Sequence, residues 1–120
     1  MAGTGVSMYL TRDAVAATLC QIAGLAPAST LATTYYYILP VACADPEERP
    51  GREAAERGAR ASGTPFVSFF TGPEIVRRAH SAGFVTARHM AAADLAARYF
   101  AGRTDGLHLS KWEEILLATT

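Results

Sequence analysis

The sequence predicts an α/β domain, and three observations carry that prediction. Helical and strand-like segments alternate along the chain. One helical segment, Thr71 to Gly83, has both a start and a stop signal. One strand-like segment, from Thr30, is a run of β-branched and aromatic residues. The alternation argues for helices packed on a mainly parallel sheet. The 120 residues suffice for one domain and are too few for two, so 1–120 reads as a single unit. Half of them are hydrophobic, which is enough to build a core.

The elements follow in order. Thr11 can cap a helix, because its hydroxyl can accept from a backbone N–H of the first turn. Asp13 suits the positive end of that helix. Val15, Leu19 and Ile22 fall on one helical face, and Gly24 is a plausible stop, so a helix is expected over Arg12 to Ala23. A strand is expected from Thr30 to Leu39, ended by Pro40. Its three tyrosines, Tyr35 to Tyr37, put aromatic surface on both faces, as core and sheet covering rather than as a stacking platform. Residues 41–63 are charged, with Pro and Gly interleaved. They read as a solvated loop or, from Arg52 to Arg60, a short exposed helix. Thr71 and Glu74 have capping-box spacing, and Pro73 is tolerated in the first turn. Ile75, Val76, Ala79 and Ala82 make the buried side, and Arg77 and Arg78 the wet one. Gly83 fits a left-handed terminus, with Phe84 folding back as its apolar contact. Phe84 to Met90 reads as a strand, the segment stopping near Gly102 contains a short helix, Arg103 to Trp112 is a loop, and a last strand follows.

Composition excludes several function classes. Eleven basic and eleven acidic residues cancel, and no basic stripe is present, which argues against nucleic acid. Cys20 and Cys43 are too few for a disulfide framework, and Cys20 in its helical pattern reads as a buried free thiol. His80, His89 and His108 have no zinc-ligand spacing, so no metal site is expected. No signal peptide and no apolar run of membrane-spanning length is evident, and a cytoplasmic protein is the expectation.

Few motifs carry chemistry. Gly3 and Gly5 look like part of a nucleotide-binding loop, but the third glycine is absent and no leading strand is expected. No serine sits in a nucleophile elbow. Asp45, Glu47 and Glu48 fall in a loop with no sign of pairing across a cleft, and nothing brings Ser7 to His89.

Three segments together point further: GVSMYLTRDAVAATL (5–19), TPFVSFFTGPEIVRRAHSAGF (64–84) and LAARYFAGRTDGL (95–107). In this order they resemble the C-terminal part of the bacterial, actinobacterial-type S-adenosylmethionine-dependent methyltransferases related to leucine carboxyl methyltransferases. The resemblance runs through nearly all the chain outside the charged segment. It implies the C-terminal half of a Rossmann-like class I methyltransferase sheet, whose family order is 3-2-1-4-5-7-6 with one antiparallel strand. Thr30 to Leu39 would be strand five, Phe84 to Met90 strand six, and Glu114 to Thr119 strand seven. The segment before Gly5 would be strand four, expected to be missing together with strands one to three.

The resemblance also implies a site. Gly5, Val6, Met8 and Tyr9 keep the pattern of a turn that borders the cofactor S-adenosylmethionine, with Ser7 in place of a threonine. The family's Trp-Glu pair before that turn is replaced by Gly3 and Thr4. Arg98, Tyr99 and Arg103 match a segment bordering the acceptor pocket. The competing readings are packing for the tyrosines and a surface loop for the arginines. Two functions are therefore expected. One is the C-terminal portion of an O-methyltransferase with a carboxylate or hydroxyl acceptor, inactive alone because the donor site is not encoded. The other is a non-enzymatic module that forms a homodimer, or pairs with an N-terminal half, through an exposed strand at 30–39.

Overall fold

The computed structural model describes residues 1–38 and 45–120. Along the chain run β1 (Ala2–Gly3), a 3-10 turn (Ser7–Tyr9), α1 (Arg12–Ala23) and β2 (Thr30–Tyr36). Then come α2 (Arg49–Ala61), α3 (Gly72–Ala82), β3 (Thr86–Met90), α4 (Ala92–Tyr99) and β4 (Glu113–Thr119). The chain is thus an α/β fold of four α-helices and a four-stranded open sheet among the described residues.

The two helices with explicit sequence signals form as their local chemistry dictates. Thr11 Oγ1 accepts the Ala14 N–H at 3.2 Å, and Val15 and Leu19 of α1 are buried. Thr71 Oγ1 accepts the Glu74 N–H at 3.3 Å. The return half of that capping box is not made, because the Glu74 carboxylate turns instead to Arg12 and Arg78. Gly83 ends α3 with φ at 111°, in the left-handed region where a side chain is strained. The Phe84 N–H donates to the Ala79 carbonyl at 3.1 Å, and Phe84 is buried. Ile75 and Ala79 reach the core, where α1 and α3 cover one face of the sheet through Leu31, Tyr35, Leu116 and Ala118.

The sheet order is β1-β2-β4-β3. β1 runs parallel to β2, and β4 runs antiparallel to both β2 and β3. The sheet is therefore mixed rather than mainly parallel. β2 and β3 share a direction, and β4 enters between them reversed.

Four further expectations are corrected. The edge of β2 is not bare. The Met1 ammonium donates to the Thr30 carbonyl at 2.7 Å, the Ala32 N–H to the Met1 carbonyl at 2.9 Å, and Ser7 Oγ to the Thr34 carbonyl at 2.8 Å. Farther along, the Phe70 N–H donates to the Tyr36 carbonyl at 2.9 Å, and Tyr37 bridges Phe70 in parallel sense. Backbone polar groups seek partners, and residues 1–7 and Phe70 supply them. Next, β2 ends at Tyr36 instead of Leu39, and Leu39, Pro40 and Cys43 lie outside the described residues. The helix expected at Arg52 to Arg60 extends over Arg49–Ala61 and is not wholly solvated. Arg52 is buried, its guanidinium 6.0 Å from the ring centres of both Phe69 and Trp112. Cys20 is exposed, on the outer side of α1.

The three tyrosines do divide between the faces. Tyr35 is fully buried with α1 and α3, while Tyr36 meets the Phe66 ring edge-on at 4.9 Å. No helix among the described residues is long and apolar enough to cross a membrane.

Candidate functional site

The common direction of β1, β2 and β3 gives the sheet one carboxyl end, where ligands sit in open α/β folds. Two groups of side chains singled out by the sequence lie at that end, on opposite flanks.

The first group follows β1. Gly5 has φ at 67°, and its N–H donates to Thr34 Oγ1 at 2.9 Å. A Cβ added at Gly5 would meet nothing within 4 Å, so space is open above the turn. Val6 and Tyr9 are about half exposed, at 49% and 45%. Met8 points inward and is buried, while its carbonyl accepts the Val67 N–H at 2.8 Å. The Tyr9 ring lies 5.5 Å from Phe66, which ties the turn to the aromatic cluster with Tyr36 and Phe69. As a border for a cofactor, this turn offers the exposed faces of Val6 and Tyr9 and the backbone at Gly5. It holds no acidic side chain.

The second group follows β3. Arg98 stands 5.6 Å from the exposed Tyr99 ring, and Arg103 forms a fork with Asp105 while lying 5.5 Å from Phe100. That fork holds the Asp105 carboxyl below the usual range. β1 and β3 are the outer strands, three strand spacings or about 14 Å apart. The sheet places the two groups at one end without bringing them together.

Between them lies a constellation that the sequence did not suggest. Glu114 points into the core side of β4, opposite Tyr35 in the ladder. The Tyr35 hydroxyl donates to Glu114 Oε2 at 2.6 Å, and both residues are buried. Burial and the Glu114 charge push the Tyr35 phenol well above its ordinary value, so it remains a donor. His89 Nδ1 stands 3.8 Å from the same oxygen. Gly72 makes room for that imidazole, since a Cβ there would come 2.5 Å from Nδ1.

Glu114 also lines a cavity of about 480 Å³, with Tyr37, Glu47 and Glu48 on one side and Ala92, Ala96 and Lys111 on others. Glu48 Oε2 accepts the Lys111 N–H at 3.0 Å, and Lys111 Nζ meets Asp45 Oδ2 at 2.6 Å. The hydrogen bond from Lys111 holds the Asp45 carboxyl low, and Asp45 in turn raises Lys111. Asp45 and Glu48 thus both hold Lys111, a contact that the sequence did not suggest. Ser7 and His89 stay apart, Ser7 on Thr34 and His89 beside Glu114. The readable signal was Glu114 itself, a charge at an inward position of a strand alternating with Leu116 and Ala118. Among the described residues, no group of three His, Cys, Asp or Glu could hold a metal ion.

These features define an α/β domain with a mixed sheet and a lined carboxyl end. No family model and no curated protein matches the chain. A solved structure, that of a possible exported protein from Bordetella parapertussis, is similar with a TM-score of 0.65 and 15% identity. The match covers 99% of this chain and 37% of that one, so this chain spans little more than a third of that protein's length. At this identity the likeness shows the fold alone.

Proposed function

We propose that the chain is the C-terminal portion of an S-adenosylmethionine-dependent O-methyltransferase with a carboxylate or hydroxyl acceptor. The observation that carries this reading is the sheet order β1-β2-β4-β3, with β4 reversed between two strands of common direction. The family resemblance implies strands five, seven and six in that order with one antiparallel strand, and β1 stands where the end of strand four would be. Gly5, Val6 and Tyr9 then border the methyl donor, with Met8 anchoring their turn from inside. Arg98, Tyr99 and Arg103 border the acceptor's approach.

The donor pocket itself is proposed to come from strands that add outside β1. An apolar cavity of about 190 Å³ between α1 and β1, lined by Met1, Val6, Leu10, Val15, Ile22 and Leu31, supports that reading. It gives an N-terminal half an apolar seat, and the occupied edge of β2 disfavours pairing there. The longer solved neighbour leaves room for such a half. Catalysis would come chiefly from aligning donor sulfonium and acceptor oxygen.

Calorimetric titration of S-adenosylmethionine tests this. The 120-residue chain alone is expected to give no saturable heat. The chain joined to the sequence encoded upstream of Met1 is expected to bind, and Tyr9→Ala to weaken it. Binding by the short chain, or none by the extended one, contradicts the proposal.

A further inference from the structure

We propose that the cavity at the carboxyl end of β2 and β3 binds a small organic molecule bearing a primary ammonium group, which Glu114 receives. This inference stands independently of methyl transfer.

Three observations carry it. The cavity, about 480 Å³, has the size of a small-molecule site. Its wall is assembled from four separate stretches: the end of β2, the turn before α2, the first turns of α4, and the segment leading into β4. Lys111 staples two of them, through its N–H to Glu48 and its ammonium to Asp45, so the wall is held in shape before any ligand arrives.

Second, the wall has unmet acceptors. The Glu114 side chain is nine-tenths buried, and its Oε2 is taken by Tyr35. Among the described residues Oε1 has no hydrogen-bond donor. Glu48 Oε1 is buried, also without a partner. Leaving the buried Glu48 oxygen without a donor is costly, whereas Glu114 Oε1 is open to the cavity, and a ligand donor could meet either one.

Third, the charge balance selects the ligand. Among the described residues the cavity is lined by three carboxylates, Glu47, Glu48 and Glu114, against two basic side chains, His108 and Lys111, the latter already engaged by Asp45. A low-dielectric pocket walled by carboxylates concentrates cations and repels anions. An ammonium brings three donors to meet the orphaned acceptors, and Ala92, Ala96 and the Tyr37 ring give an attached hydrocarbon somewhere to lie. Tyr35 keeps Glu114 in place without competing for its free oxygen.

The test uses the 120-residue chain and amide NMR titration with phenethylammonium, butylammonium and putrescine. At least one is expected to give saturable shifts centred on Ala92, Ala96, Lys111 and Glu114. 2-Phenylethanol, the neutral counterpart of phenethylammonium, is expected to bind about tenfold or more weakly, as is the cation with Glu114→Gln. The amide oxygen that Glu114→Gln leaves in place can still accept from Tyr35, so the fold should persist. If thermal melting shows otherwise, Glu48→Gln replaces it with the same expected direction. No saturable shift with any probe overturns the proposal. So does equal binding of alcohol and ammonium, or unchanged binding by the folded variant.

Discussion

Tyr35→Phe isolates the interaction on which the buried end of β4 depends. The substitution leaves the ring, so the packing of Tyr35 with Leu31, Phe70 and Leu116 is kept and no cavity opens. What disappears is the hydroxyl 2.6 Å from Glu114 Oε2. A hydrogen bond to a charged acceptor contributes about 1.5–3 kcal/mol, and an abandoned buried carboxylate oxygen keeps most of its desolvation cost. A loss of about 2 kcal/mol is expected. With an unfolding entropy of about 2.1 cal/mol/K per residue, that loss lowers Tm by about 8 °C. The assay is urea unfolding at pH 7, followed by tryptophan fluorescence, with calorimetry for Tm. A double variant, Tyr35→Phe with Glu114→Leu, removes both polar partners and is expected to regain most of the loss. A cost below about 0.5 kcal/mol for the single variant, or additive costs in the double, would refute the buried pairing.

Three other outcomes follow from the same geometry. Raising the pH should test the Tyr35 phenol. Its folded value lies above the unfolded one near 10, so its contribution is complete below pH 10 and declines as pH rises beyond it. The wild type should therefore lose stability in alkali more steeply than Tyr35→Phe. Arg12→Ala removes an ion pair with Glu74, a 2.7 Å hydrogen bond to the Phe69 carbonyl and a cation 4.8 Å from the Phe70 ring. Because Arg12 is partly exposed, a cost of about 1 kcal/mol is expected at pH 7. Arg12 holds the Glu74 carboxyl below its usual value, so this contribution is present above pH 4.5 and fades as pH falls through the depressed value. The cost measured by urea unfolding should shrink at pH 3, and an equal cost at both pH values would contradict the pairing. Gly83→Ala forces a side chain to φ 111° while its Cβ meets Ala23 only at ordinary contact, 3.6 Å away. Backbone strain alone should cost about 1–2 kcal/mol, seen as a lower urea midpoint with unchanged m-value.

Local signals made much of the fold legible. α1 and α3 carry their capping threonines and terminal glycines within the helices' own sequence, so their limits could be read directly. β4 could be read from its apolar alternation. β1 could not, because two residues carry no periodicity and it exists only through Met1, Gly3 and Thr33 meeting across about thirty positions. The covered edge of β2 was missed for the same reason. Arg52 looked solvated because Phe69 and Trp112, which bury it, come from distant segments. The turn at Gly5 and the helix bearing Arg98 were visible by resemblance, but their placement on opposite flanks depends on strand order. The Glu114 cavity was least legible, since its four wall segments are contiguous only after folding.

The central claim concerns what lies beyond β1. A crystal structure of the native assembly containing this chain, soaked with S-adenosylmethionine, tests it directly. At least one further strand should run parallel outside β1, with the donor resting near Gly5 and Tyr9. Finding β1 still outermost, or the donor bound elsewhere, would contradict the assignment.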